Sequence, residues 1–288
     1  MKPILATCLL LAGLHFSNPI LCFAADDGTL ASAGKTAMWS GPKPHGPLKP
    51  FVLDMMGTPK KNDGTLDPPT IFHDTMEEIT WHGHKAMRRI AATTNPGESE
   101  FTRWATVVFD EKSLLPYFTE LRVADGRFVR HEFDGVHVTE TRTGGDFRKP
   151  LSAGDKPGTV TSKFDLSEPA FAWAEGLGLP VLLALPLHDG LEGSVPVISK
   201  SPNGVLACFI GPCSVSRMTY RVVGKEEIAG ISGKRVSSWK IYVPETDFFF
   251  WIACDDPRLE GVTWPRGTGT MTTGQSDARF SMGSIAKK

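Results

Sequence analysis

Hydrophobic and polar residues alternate along most of this chain, in short segments bounded by glycine, proline, asparagine or aspartate. Such alternation is typical of half-buried β-strands, whose successive side chains point to opposite faces of a sheet. The predicted strands are 51–55, 78–81, 86–93, 101–109, 115–123, 127–133, 136–141, 205–210, 214–224, 234–243 and 248–253, with a short one within 261–264. The pattern therefore indicates a mainly β protein.

One stretch, residues 167–190, departs from this alternation. Its apolar part, residues 171–187, carries a single charge, Glu175. Ser167 and the glutamate and proline that follow it are typical of a helix start, because a cap, a carboxylate and a proline are all favoured there. This helix is predicted to break into two short pieces, because the segment contains Gly176, Gly178 and Pro180.

A long apolar element in a β-rich chain needs a cover, and a curved sheet provides one. We therefore expect a mainly β fold with a helical insert (α+β): a curved antiparallel sheet or half-barrel with one or two short helices in its concave mouth. The apolar side chains of the insert become candidate ligand-binding residues. They are Phe171, Trp173, Leu177, Leu182 and Leu185.

The clearest hairpin pattern covers residues 127–141, with Asp134-Gly135 as its turn. A two-residue turn there pairs His131 with Val138, and alternation places His131 and Phe133 on the buried face. A buried imidazole in an apolar wall is a candidate for ligand contact or acid–base chemistry. The alternative is a core histidine satisfied by a backbone partner. His131 and Phe133 are added to the candidate ligand-binding residues.

The two ends of the chain differ in composition from its middle. Residues 1–24 have the pattern of a signal peptide, with Lys2, an apolar run over 4–14 and a small-x-small site ending at Ala24. We expect cleavage near Ala24 and a periplasmic or secreted protein. Residues 25–50 are predicted to be a flexible lead-in, 51–264 a single β-rich domain and 265–288 a disordered tail.

Three cysteines remain after the predicted cleavage, and an oxidising compartment favours pairing of two of them. Gly211-Pro212 predicts a turn that brings Cys208 and Cys213 together, so this pair is the expected disulfide. Cys254 remains a competing partner for either cysteine. The spacing is not Cys-x-x-Cys, which argues against a zinc site here.

Composition narrows the function classes without choosing one. The formal net charge of −1 gives no indication of a nucleic-acid partner or a polybasic membrane surface. The apolar run over residues 4–14 is too short to span a bilayer, so no transmembrane span is expected in the mature chain. His82-Gly83-His84 is interpreted as a hairpin turn rather than a metal pair. No catalytic motif was identified, and no metal or cofactor is predicted.

Several turn and apolar patterns resemble those of a bacterial exported family that is similar in fold to periplasmic lipoprotein carriers. The resemblance covers roughly residues 70 to 264. The patterns are Asp110 with Leu114-Leu115-Pro116, the insert's end at residues 183–187, and the run 220–226 that leads through Gly230 and Gly233 to residues 250–252. The resemblance implies a half-barrel with helices in its mouth and a concave cavity that accepts an acyl chain or another apolar ligand.

The predicted function is therefore binding or carriage of an apolar ligand, a lipid or acyl chain, in a half-barrel cavity. Two alternatives remain open. One is a structural cell-envelope protein whose core is filled, and the other is an enzyme that uses the same cavity with His131 as its base. The expected partner is an apolar small molecule or lipid, and the sequence leaves open whether there is also a protein partner.

Overall fold

The computed structural model describes residues 48–57, 65, 68–144, 154, 157–172, 178–199, 213–229, 235–245, 248–255 and 259–263. These residues form a mainly β fold with two sheets and one short helix, as the alternation predicted. Several predicted features lie outside the described residues: the signal peptide, the tail, the 205–210 strand, Trp173, Leu177 and Cys208.

The first sheet is an antiparallel meander in which each strand pairs with the next along the chain. Its strands are β1 (Phe51–Gly57), β2 (Thr70–Trp81), β3 (His84–Thr94), β4 (Phe101–Asp110), β5 (Pro116–Val123), β6 (Phe128–Asp134), β7 (His137–Thr143) and β8 (Thr159–Asp165). Because neighbouring strands run in opposite directions, every second turn lies at the same edge of the sheet, meaning the side where the strands end.

The second sheet curls into a half-barrel with the strand order β14-β13-β12-β11-β10-β9. Its strands are β9 (Phe171–Ala172), β10 (Glu192–Ser199), β11 (Ser214–Ala229), β12 (Arg235–Val243), β13 (Phe248–Ala253) and β14 (Leu259–Thr263). All neighbours are antiparallel except β9, which runs parallel to β10. The predicted curved antiparallel sheet is therefore confirmed.

The apolar insert differs from its predicted course. No helix begins at Ser167, because Phe171 and Ala172 instead form β9 and pair with Val197 and Ile198 of β10. The helix α1 covers Leu179–Leu183, and Pro180 lies in its first turn rather than interrupting it. A proline is tolerated there because the first helical N–H groups have no partner within the helix.

Helix α1 is buried along its whole length and belongs to one hydrophobic cluster with both sheets. The first sheet contributes Met76, Met87, Ala105, Val107, Phe109 and Leu121, and the second contributes Val195, Val197, Met218, Tyr220, Val222, Ile241, Val243 and Ile252. Leu48, just before β1, also joins this cluster. Among the residues that the structure describes, no helix is both long and apolar enough to cross a membrane.

The hairpin β6–β7 forms, but the predicted register is wrong. Asp134 pairs with His137, so the two-residue turn is Gly135-Val136 rather than Asp134-Gly135. Gly135 has a φ of +62°, a left-handed conformation that glycine adopts without steric cost. Moving the turn by one residue moves the pairing on β7 by two residues, so His131 pairs with Glu140 instead of Val138.

Two predictions about strand extent also need correction. The strand predicted over residues 214–224 is longer in the structure, because β11 continues to Ala229 and pairs with β12 as far as Arg235. A register irregularity between Val222 and Gly224 lets this long strand continue past the glycine. Strand β2 begins at Thr70, eight residues before the predicted strand start at Glu78.

Candidate functional site

A pocket lies where three turns of the first sheet meet. The turns β2–β3, β4–β5 and β6–β7 share one edge of the meander, and the chain between β8 and β9 closes the fourth side. The volume of the pocket is about 520 Å³. Its lining residues are Trp81, His82, His84, Asp110, Ser113, Leu115, Pro116, Tyr117, Phe133, Asp134, Gly135, Pro169 and Ala170.

Asp110 is the most firmly held polar group of this pocket. Its Oδ1 accepts hydrogen bonds from the N–H of Lys112 (3.0 Å) and from the N–H and hydroxyl of Ser113 (2.7 and 2.9 Å). Its Oδ2 accepts one from the Tyr117 hydroxyl at 3.0 Å. These contacts fix both the turn and the carboxylate.

The hydrogen bonds also decide the charge of Asp110. Burial opposes ionisation, but the bonds from Ser113, then Tyr117, outweigh it and lower the pKa of Asp110 below its ordinary value. Burial and the bond to Asp110 raise the pKa of Tyr117. At neutral pH the pocket therefore holds an ionised carboxylate beside a protonated phenol.

Aromatic rings form the apolar walls of the pocket. The Trp81 ring lies edge-on to His82 with 5.0 Å between centroids, and the His84 and Tyr117 rings are 6.1 Å apart. His82 and Gly83 both have positive φ, so this tight turn projects its flanking side chains at the sheet edge. Phe133 completes the wall from the β6–β7 hairpin.

A second polar cluster is buried behind Phe133. His131 Nε2 lies 3.2 Å from Glu140 Oε2, and His131 Nδ1 lies 3.2 Å from Thr119 Oγ1. The Nε2–H tautomer donates to Glu140 and accepts from the threonine hydroxyl. Arg142 Nε is 3.3 Å from Glu140 Oε1, and Cys213 Sγ is 3.7 Å from His131 Nε2. This network satisfies a carboxylate that is only 1% exposed.

The predicted ligand-binding residues separate into two groups in the structure. His131 and Phe133 are neighbours, with ring centroids 6.2 Å apart, and Phe133 lines the pocket. Phe171, Leu182 and Leu185 belong instead to the main hydrophobic cluster, with exposed fractions of 3%, 0% and 1%. Cys254 is a free cysteine, and the pairing of Cys208 with Cys213 stays a prediction.

Sequence reasoning missed Glu140, and it also missed the pocket residues Trp81, Asp110 and Tyr117 as a group. Alternation from Val138 would have placed Glu140 on the buried face, so that signal was present in the sequence. The pocket residues carry no such signal, because they meet only when three separate turns reach the same edge.

The chain was also compared with known proteins. No protein-family profile, curated protein or solved structure matched it. The functional argument therefore rests on the geometry of the described residues.

Proposed function

We propose that this chain is an exported binding protein that holds a small amphipathic ligand in the pocket at the edge of the first sheet. The observation that carries the proposal is the pairing of aromatic walls with the ionised carboxylate of Asp110. A volume of about 520 Å³ also lies within the roughly 300–1,000 Å³ of typical small-molecule sites.

The lining defines the chemistry of the ligand. Its apolar part packs against the Trp81 and Phe133 rings, while its polar end approaches Asp110. Aromatic faces attract cations, and a carboxylate adds a full negative charge, so a cationic or hydrogen-bond-donating end is favoured over an anionic one. An alkyl or acyl chain is the apolar part that the resemblance to lipoprotein carriers favours.

A structural cell-envelope role is the second candidate function. It is favoured by the complete burial of Leu182 and Leu185, which pack in the core between the two sheets. A ligand between the insert and the sheet would need these side chains to line an open space. A ligand in the pocket at the sheet edge does not require these core side chains to line an open space, so we propose that pocket as the ligand site.

The proposal is tested with two ligands that share an alkyl chain and differ in the charge of the head group. Dodecyltrimethylammonium and dodecanoate, both below their micelle concentrations, are titrated into the mature protein by calorimetry. We expect the cation to bind about tenfold or more tightly than the anion, equivalent to about 1.4 kcal/mol or more. Failure of the cation to bind, or tighter binding of the anion, contradicts the proposal.

A matched pair of variants locates the binding. Trp81→Leu removes an aromatic wall of the pocket, whereas Trp251→Leu changes a half-buried tryptophan on the second sheet. We expect Trp81→Leu to weaken binding of the cation about tenfold and Trp251→Leu to leave it unchanged. Equal losses would place the ligand elsewhere.

The export part of the proposal has its own measurement. Intact-mass spectrometry of protein secreted from a bacterial host is expected to show a mature chain that begins at or near Ala25. Recovery of a species that still carries Met1 would contradict export by cleavage.

A further inference from the structure

We propose that the pocket at the edge of the first sheet selects a quaternary ammonium head group, a cation without N–H donors, over a primary ammonium of the same charge. This selectivity rests on the proposed function and narrows the class of its ligand. The hydrogen-bond acceptors of the β4–β5 turn are largely used by the protein's own donors. The pocket therefore offers a ligand negative charge and aromatic surface, but few vacant acceptors.

The carboxylate of Asp110 has little acceptor capacity left for a ligand. It accepts four hydrogen bonds from described residues: three at Oδ1, from the N–H of Lys112 and the N–H and hydroxyl of Ser113, and one at Oδ2, from the Tyr117 hydroxyl. An ionised carboxylate has about four acceptor sites on its two oxygens. A bound ligand therefore meets the charge of Asp110 rather than a vacant lone pair.

The other acceptors of this turn are also engaged. The Ser113 hydroxyl, which donates to Asp110, accepts from the N–H of Leu115 at 3.4 Å. The Leu115 carbonyl accepts from the N–H of Asp110 at 3.0 Å, and the Asp110 carbonyl accepts from the N–H of Leu114 at 2.9 Å. A primary ammonium that lost its hydration here would hold unpaired N–H groups, which is costly for any buried donor.

The charge of the lining still favours a cation. Among the described residues that line the pocket, Asp110 and Asp134 are carboxylates, and none is a lysine or an arginine. Asp134 is exposed to solvent, so water competes for its oxygens and its charge attracts a primary and a quaternary ammonium alike. Discrimination between two head groups of equal charge must therefore come from the rest of the lining.

The rest of the lining suits methyl groups. The rings of Trp81, Tyr117 and Phe133 line the pocket together with Pro116 and Pro169. A quaternary ammonium presents methyl groups to such rings, and clustered aromatic rings are its usual binding partners. A primary ammonium is compact and strongly hydrated, so it gains less from the same surface. Tyr117 contributes twice, because its ring lines the pocket while its hydroxyl occupies Oδ2 of Asp110.

Two ligands with the same alkyl chain and the same charge test this selectivity in the wild-type protein. Dodecyltrimethylammonium and dodecylammonium, both below their micelle concentrations, are titrated into the mature protein by calorimetry at about pH 7, where an alkyl amine is protonated. We expect the quaternary ligand to bind about tenfold more tightly. Equal affinities, or tighter binding of dodecylammonium, would overturn the selectivity and leave cation binding in the pocket intact. Binding of neither ligand would overturn both.

A variant that frees an acceptor separates hydrogen bonding from the larger apolar area of the methyl groups. Tyr117→Phe keeps the ring and removes the donor at Asp110 Oδ2, so dodecylammonium gains an acceptor while the methyl groups keep their aromatic contact. We expect the ratio of the two affinities to fall to about twofold or less. Tyr242→Phe, which removes a hydroxyl from β12 of the second sheet, is the matched control and should keep the wild-type ratio. An unchanged ratio in Tyr117→Phe would overturn the role assigned to the acceptors of Asp110.

Discussion

The two sheets of this protein bury different kinds of side chain. Among the described residues, Ser238 is the buried polar residue of the second sheet, whereas the first sheet and its turns bury charged groups as well. The buried polar and charged residues of the first sheet and its turns are Asp74, Arg89, Thr94, Thr119, Arg127, His131, Glu140 and Thr143. The second sheet is thus a surface for apolar packing, and the first sheet carries the groups capable of chemistry.

This contrast has an energetic consequence. Apolar burial stabilises in proportion to the area removed from water, but a buried charge is tolerated only when a partner compensates it. The first sheet meets that condition pair by pair. Arg89 and Asp74 form two hydrogen bonds, one of them 2.9 Å from Nε to Oδ1, and His131 faces Glu140. Loss of one charged or hydrogen-bonding group should therefore lower the free energy of unfolding more in the first sheet than in the second.

The largest effect is expected from Asp74→Ala, which removes the carboxylate from a pair whose side chains are 5% (Arg89) and 2% (Asp74) exposed. The variant leaves the guanidinium of Arg89 without this partner, so the free energy of unfolding should fall by ~3–5 kcal/mol. Urea denaturation monitored by circular dichroism measures the change.

The control for this prediction lies on the same two strands. Glu77 pairs with Arg88 in the open, with side chains 50% and 42% exposed. Glu77→Ala should therefore cost only ~0–1 kcal/mol. Similar losses in the two variants would show that burial does not separate these ion pairs.

The next effect concerns the apolar cluster. Leu182→Ala should lower the free energy of unfolding by ~2–5 kcal/mol if Leu182 fills a packed core, as its exposed fraction of 0% indicates. Val160→Ala is the control, because Val160 is 53% exposed and such surface changes stay within ~0.5 kcal/mol. A small loss at Leu182 together with weaker binding of a fluorescent fatty acid would instead indicate a ligand space beside the insert.

The strands that sequence alternation predicted are those with one buried face. Strand β8 was missed because nearly all of its residues are exposed, so it has no apolar period. Strand β10 was missed because Gly193 and Pro196 are typical of turns. Gly193 has a packing reason in the structure: a Cβ there would lie 2.6 Å from the Tyr220 hydroxyl oxygen.

The candidate sites were less predictable than the strands. Alternation correctly placed His131 and Phe133 on an inner face, but the partner of His131 depended on which two residues form the turn. Helix α1 was displaced because pairing of Phe171 with β10 took precedence over a local helix-start pattern. Local sequence therefore predicts which face of a strand a side chain lies on, whereas the pairing of strands determines which residue lies opposite it.

The smallest effect should come from an exposed pair at the outer edge of the first sheet. His137 Nδ1 lies 2.7 Å from Asp165 Oδ1 across β7 and β8. This hydrogen bond, followed by the charge of Asp165, raises the pKa of His137 above its ordinary 6.5. Because the folded-state pKa is the higher one, the stabilisation is complete below the unfolded pKa and is lost as pH rises through the folded pKa.

Asp165→Asn should therefore lower the melting temperature slightly at about pH 5 and hardly at all at about pH 8, with a smaller difference in high salt. Scanning calorimetry at both pH values measures this, and a deficit that grows with pH would reverse the assigned sign.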